Sequence, residues 1–145
     1  MASMKRRALV ASMQPGYDHS REIILTDELA LGDTLLLKKR EQLVGFALCH
    51  TAPLVEGRPR EDLRVLKLAL ADLSYLDEMM RLLSDLARRS ATRRVSVRVQ
   101  GEYEAAYNRM IGMRARVRWS DLRMTYMGSP EAKAERGMVL SNWEI

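Results

Sequence analysis

The side chains best suited to chemistry lie next to each other, where Cys49 is followed by His50. An imidazole acts as a general base near neutral pH, and a thiol becomes a nucleophile when a nearby group lowers its pKa. Cys49 ends an apolar run that contains no such group. We therefore predict that Cys49 is a core residue and that His50 is a candidate general base, with a structural histidine as the alternative.

Metal and disulfide chemistry are poorly represented. The sequence has one cysteine and two histidines, His19 and His50, so the usual zinc-ligand spacings are absent. A single cysteine also cannot form an internal disulfide. The sequence predicts neither a structural metal site nor a disulfide framework.

The elements that must position these residues belong to a chain of ordinary globular composition. Its 145 residues are 47% hydrophobic and 30% charged, which is typical of one soluble domain. We predict a loose N-terminal segment over residues 1–14 and a single domain over 15–145. No apolar run approaches the ~20 residues of a membrane span, and none follows the basic start, so a cytoplasmic protein without membrane contact is expected.

The basic charge raises the question of nucleic acid. The formal net charge is +5, but small groups of lysines and arginines alternate with 19 acidic residues. Aromatic residues, which would stack on bases, make up only 6% of the chain. The pattern favours solvated faces over a nucleic-acid partner.

Hydrophobic periodicity predicts a mixed sheet flanked by helices, of the α/β or α+β class. The expected helices are 21–31, 75–89 and 102–111; the expected strands are 34–38, 42–49, 63–70, 94–99, 114–118 and 122–127. The first two strands form a hairpin, and the last two form a closing hairpin. Because helix 75–89 connects strands 63–70 and 94–99, we expect these two strands to be parallel neighbours.

Two segments carry a family resemblance. The run LVGFALCH at residues 43–50 and the stretch AAYNRMIGM at 105–113 resemble the third strand and the "A-x-x-x-Y…G-F" stretch of the GNAT acetyltransferase superfamily. Arg123 and Met124 fit its closing strand. The start at 15–23 and the end near Trp143 are similar to the C-terminal half of two-lobed members. The family's first strand and helices are expected to be missing before Arg21, which gives a truncated N-terminal part.

The resemblance implies a mostly antiparallel sheet and an acetyl-CoA site where strands 63–70 and 94–99 separate. The pantetheine arm would pair with the main chain of Leu68, Ala69 and Leu70, and the pyrophosphate would lie on the loop containing Leu73, Ser74 and Tyr75. Tyr107 would protonate the departing thiolate, with a packed helix tyrosine as the alternative. The activity implied is acetyl transfer to an unidentified small-molecule or peptide amine.

The loop itself departs from the family pattern. There is no glycine between Gly57 and Gly101, and Asp72, Asp77 and Glu78 bring negative charge to the expected phosphate site. A non-catalytic GNAT-like lobe that acts in dimerisation or partner binding is therefore a second hypothesis, and a basic nucleic-acid module is a third. Missing N-terminal elements would leave apolar surface exposed, which predicts a homodimer or a partner lobe.

Overall fold

A computed structural model describes residues 2–122, 124–129 and 133–142. The helices are α1 (Ala2–Met13), α2 (Ser20–Glu28), α3 (Leu76–Arg89) and α4 (Glu104–Gly112), with short 3-10 turns at Leu73–Tyr75 and Gly101–Tyr103. The strands are β1 (Gly32–Lys39), β2 (Gln42–His50), β3 (Asp62–Leu70), β4 (Arg94–Val97) and β5 (Met138–Ser141). None of the described helices has the length and apolar character that crossing a bilayer requires.

The five strands form one mixed sheet in which β1, β2, β3 and β4 are neighbours in that order. β1 pairs with β2 and β2 with β3 in antiparallel orientation, whereas β3 and β4 are parallel. The predicted mixed sheet and the predicted parallel pair are therefore confirmed. The helix between the parallel strands, α3, buries Leu76, Met79 and Leu83, as its apolar periodicity predicts.

The central strand, β3, uses both of its edges. One edge pairs with β2 from Arg64 to Leu70. The opposite edge, here called the outer edge, is divided: Asp62–Val65 pairs with β4, and Lys67–Leu70 pairs with β5 in antiparallel orientation. β4 therefore covers only the first half of this edge.

The helices cover both faces of the sheet. Gly45 lies against Leu70 and against Met79 of α3, whereas the ring of Phe46 contacts His19, the residue before α2. Adjacent residues of a strand point to opposite faces, so α3 packs on one face and α2 on the other. Helix α1 joins α2 there, because Val10 lines the same small cavity as Phe46 and Ile23.

The prediction of a loose segment over residues 1–14 is wrong. These residues form α1 from Ala2 onward, and Val10 and Met13 are buried in the core. Val10 and Met13 are three residues apart, which places both on one face of the helix. The expected lack of helices before Arg21 is corrected in the same way, since α1 precedes α2.

The predicted closing hairpin is also wrong. Residues 114–118, 122 and 124–127 form no strand, and Arg123 lies outside the described residues. The side chains of Leu122, Met124 and Met127 are exposed, so this segment buries little of the apolar surface that would stabilise a strand. The fifth strand comes instead from β5, in which Met138, Val139 and Leu140 are all buried.

The packing of α1 predicts that truncating two of its methionines changes the free energy of unfolding by different amounts. The Met13 side chain is 1% exposed and Met4 is 73% exposed. We expect Met13→Ala to lower the free energy of unfolding by about 2–5 kcal/mol, because it leaves a cavity in the core. Met4→Ala makes the same chemical change on the surface and should alter it by less than about 0.5 kcal/mol. Urea denaturation measures both, and equal effects would contradict the packing of α1.

The start of β5 predicts that replacing two glycines with positive φ by alanine costs different amounts of stability. Gly137 has φ +68°, and a Cβ there would lie 2.2 Å from the carbonyl oxygen of Leu70. Gly57 has φ +76° with open space around it. Gly57→Ala should cost about 1–2 kcal/mol of stability from its backbone conformation alone.

Gly137→Ala should cost about 1–3 kcal/mol more, because the added methyl group displaces β5 from β3. Thermal or urea unfolding of the two variants gives the comparison. If both variants lose the same stability, the close approach of Gly137 to Leu70 does not exist in solution.

Candidate functional site

The candidate site lies where β3 and β4 part. β4 ends at Val97, opposite Val65, and the outer edge of β3 continues without it through Lys67–Leu70. This stretch contains Leu68, Ala69 and Leu70, which were predicted to bind a pantetheine arm through the main chain. The structure pairs them with Leu140, Val139 and Met138, so the chain itself occupies the predicted main-chain site.

Hydrogen bonds from both side chains and the backbone hold β5 on the outer edge of β3. The hydroxyl of Tyr103 accepts hydrogen bonds from the backbone N–H groups of Ala134 (3.2 Å) and Val139 (3.3 Å). Lys67 Nζ donates to Ser141 Oγ at 2.6 Å. The Asn142 N–H donates to the Leu66 carbonyl at 2.7 Å, which extends the pairing beyond the strand.

The loop predicted to hold a pyrophosphate is closed by one of its own carboxylates. Leu73, Ser74 and Tyr75 form a 3-10 turn that leads into α3. Asp72 Oδ1 accepts the Ser74 N–H at 2.8 Å, so Asp72 caps this turn. Hydrogen bonds from the Ser74 side chain and backbone lower the pKa of Asp72. A backbone donor that an anion would need is thus already used.

Cations compensate the acids at the start of α3. Arg109 of α4 binds Asp77 with two hydrogen bonds of 2.6 and 2.8 Å, and Lys39 of β1 contacts Glu78 at 2.7 Å. The hydrogen bond from Arg109 lowers the pKa of Asp77 and raises that of Arg109. The repulsion of an anionic ligand is therefore weaker than the acidic sequence alone indicates.

Two tyrosines four residues apart have different environments. Tyr107, the predicted acid, lies on α4 with 43% of its surface exposed. Tyr103 is buried, and its hydroxyl contacts the segment that carries β5. Tyr103 is not among the residues predicted from the sequence, because the family resemblance marks only Tyr107 and nothing in the Tyr-x-x-x-Tyr spacing shows which ring is buried.

His50 has a structural partner. Its Nε2 lies 2.9 Å from Thr26 Oγ1, and the Thr26 hydroxyl donates its proton to the Glu22 carbonyl. Nε2 is therefore the donor in this pair, which leaves Nδ1 as the basic nitrogen. Burial and, to a lesser extent, Arg64 lower the pKa of His50, so the ring is neutral at pH 7.

His50 does not meet the predicted phosphate loop. It pairs with Arg64, near one end of β3, whereas Leu70 at the other end leads into the loop. At about 3.3 Å per residue these ends are roughly 20 Å apart. Cys49 is buried, and burial raises the pKa of its thiol to about 12, which agrees with its prediction as a core residue. No three His, Cys, Asp or Glu side chains in the described ranges are grouped to hold a metal ion.

A cluster of polar side chains lies on the α2 face of the sheet, next to the outer edge of β3. Its members are Glu22, Lys67 and Ser141. The Lys67 side chain is 3% exposed, contacts Ser141, and lies 3.9 Å from Glu22 Oε1. Burial lowers the pKa of Lys67, and the Glu22 carboxylate opposes this shift. This cluster was not predicted from the sequence. The single lysine within the apolar run LKLAL at residues 66–70 does indicate a buried cation that needs a polar partner.

Comparison with known proteins identifies structural neighbours. No family model matches the sequence, and no curated protein sequence matches it significantly. A ribosomal-protein-alanine N-acetyltransferase from Brucella melitensis biovar Abortus 2308 is 16% identical, with a TM-score of 0.63 over 86% of this chain and 92% of that one. TTHA1254 from Thermus thermophilus is 15% identical, with a TM-score of 0.60 over 88% and 92%.

A third neighbour is the enzyme AAC(6')-Iy, solved in complex with the bisubstrate analogue CoA-S-monomethyl-acetylneamine. It is 12% identical, and the match covers 83% of this chain and 91% of that one with a TM-score of 0.57. These neighbours have the fold of the GNAT acetyltransferases, and each match covers most of both chains. At these identities the comparison establishes architecture, and the chain therefore has the GNAT acetyltransferase fold.

Proposed function

We propose that the protein is an acyl-CoA-dependent N-acetyltransferase that acts on an amine. The observation that carries this proposal is that β4 ends at Val97, opposite Val65, and leaves the second half of β3 uncovered, with the start of α3 at the end of that half. Where the edge of a strand is not covered by a neighbouring strand, its main-chain donors and acceptors can pair with a ligand. Neighbours with the same fold are N-acetyltransferases, which supports acetyl transfer as the activity.

The residues assigned to this function are those of the outer edge and the adjoining loop. Leu68, Ala69 and Leu70 would bind the arm of the cofactor, and Leu73, Ser74 and Tyr75 would contact its phosphates. In the described conformation these residues do not fit acetyl-CoA, because β5 pairs with the edge and Asp72 binds the Ser74 N–H. The proposed function therefore requires a rearrangement of β5, and Tyr107 and His50 are its candidate proton carriers.

A non-catalytic lobe is the second candidate function, and a separate observation favours it. The segment from residue 117 to 127 exposes several large apolar side chains to solvent, namely Val117, Trp119, Leu122, Met124, Tyr126 and Met127. Large exposed apolar side chains are unfavourable in water, and where they form a patch they mark protein–protein contact sites. In this interpretation the protein acts by binding a second copy of itself or another protein.

Acetyl-CoA binding separates the two functions. For the unaltered protein we expect a dissociation constant at or above ~1 mM, because β5 and Asp72 oppose binding. With a constant of ~1 mM, 10 mM acetyl-CoA stabilises the native state by about 1.4 kcal/mol, and a larger constant gives less; either raises the thermal midpoint. A matched measurement with 10 mM acetate and pantothenate controls for nonspecific effects. An unchanged midpoint both here and in the Asp72→Gly/Ser74→Gly variant would contradict the acetyltransferase proposal and favour the lobe.

Two variants at Asp72 separate charge from shape. Asp72→Asn keeps an acceptor for the Ser74 N–H but removes the negative charge, whereas Asp72→Gly removes both. We expect both to bind acetyl-CoA more tightly than the unaltered protein, and Asp72→Gly combined with Ser74→Gly to bind most tightly. Calorimetry gives the dissociation constants. If the Asn variant gains nothing and the glycine variant gains tenfold, the obstacle is steric and not electrostatic.

The exposed segment predicts self-association. We expect a dimer at micromolar concentration, with a mass near twice 16.6 kDa by light scattering. Leu122→Asp together with Met127→Asp should convert it to a monomer, because two charges would be buried in the apolar contact. Met4→Asp, at another exposed position on α1, should leave the mass unchanged. A monomeric unaltered protein would exclude this segment as a self-association surface.

A further inference from the structure

We infer that β5 is a displaceable strand that closes the cofactor edge, so that pairing of β5 with β3 and binding of acyl-CoA exclude each other. This inference rests on the proposed function for the identity of the ligand. The structure alone shows that β5 would compete with this ligand, because β5 pairs with the half of β3 that β4 leaves free.

The register identifies the main-chain groups in competition. The Val139 N–H donates to the Tyr103 hydroxyl and therefore points away from β3. Successive N–H groups of a strand point in opposite directions, so those of Met138 and Leu140 point toward β3. Their register partners are Leu70 and Leu68. Three residues were predicted to bind the pantetheine arm. Two of them, Leu68 and Leu70, are thus the ones that exchange hydrogen bonds with β5.

The connection to β5 permits the strand to leave. β5 has four residues, and no helix or strand is present in the described part of the chain between α4 and β5. Removing β5 from the edge therefore breaks no other described element. Segments of a folded protein open locally with free energies that range from about zero to the global value, and a four-residue strand gives up few main-chain hydrogen bonds when it opens.

The closed form is nevertheless favoured, because opening exposes the buried side chains of Met138, Val139 and Leu140. A ligand that binds only the open form has its affinity reduced by the open fraction. Closure of the edge is thus the physical reason for the weak binding of acetyl-CoA that we expect, and it requires no defect in the edge itself. Weakening β5 should strengthen binding.

Amide hydrogen exchange tests the opening without any ligand. Tyr103→Phe removes the acceptor for the N–H groups of Ala134 and Val139 but keeps the ring. We expect the amides of Leu68, Leu70, Met138 and Leu140 to exchange at least tenfold faster in this variant, while those of the β1–β2 pairs stay unchanged. Tyr126→Phe makes the same substitution at an exposed ring and should change none of them. Exchange of β5 only together with the whole sheet would overturn the inference.

A reversible cross-link tests the competition. Ala69 and Val139 are register partners, and the outward Val139 N–H makes theirs a non-hydrogen-bonded pair, whose Cα separation suits a disulfide. In Ala69→Cys/Val139→Cys, oxidation should abolish acetyl-CoA binding in calorimetry, and dithiothreitol should restore it. The Tyr103→Phe variant should bind at least fivefold more tightly than the unaltered protein.

The outcomes distinguish the inference from the function on which it rests. Equal binding by the oxidised and reduced double variant would overturn the competition and leave the acetyltransferase proposal intact. Absence of binding in the reduced form and in Tyr103→Phe, despite faster exchange of β5, would overturn the proposed function and with it the competition. Cys49 is buried, so it does not interfere with the cross-link.

Discussion

The outer edge of β3 is the constraint on which this structure depends. Every buried main-chain N–H and C=O group must find a partner, and β3 is covered by α2 on one face and by α3 on the other. β2 satisfies one edge along most of its length, but β4 satisfies only the first half of the other. The second half, Lys67–Leu70, must pair with another strand, a ligand or water. In the described conformation it pairs with β5, and the arrangement of Tyr103, Gly137 and Lys67 follows from that pairing.

Charge near the site is more balanced than it looks in the sequence. Acidic residues at the start of α3 face cations from β1 and α4, and both pairs are exposed, so each contributes little to stability. The buried Lys67–Glu22 contact is different, because an ammonium in the interior is tolerated only with close partners. Its partner Ser141 belongs to β5. The polar cluster on the α2 face and the strand on the outer edge therefore form one connected arrangement.

Much of the fold follows from local patterns. The apolar runs of β2 and β3 and the helical spacing of α3 are strong signals, and the rule for parallel connections places β4 beside β3. α1 was missed because its basic start hides a short apolar face, and β5 because a run of only three apolar residues, Met138, Val139 and Leu140, carries no periodicity. Of the site, the resemblance located the edge and the loop. Tyr103 and Lys67 depend on contacts with residues more than thirty positions away, which no local pattern contains.

The irregularity in the pairing of β2 with β3 has a consequence for folding. The register shifts between Leu48 and Cys49, so that Leu48 faces Lys67 and Cys49 faces Val65. This one extra residue lets Arg64 and Lys67, three positions apart, both turn toward the α2 side, where they reach the Ala52 carbonyl and Glu22. A slip of one residue would turn the Lys67 ammonium toward Met79 and Leu83. A sheet with that register would thus place an unsolvated cation against α3, so the buried lysine makes the slipped register unfavourable relative to the native one.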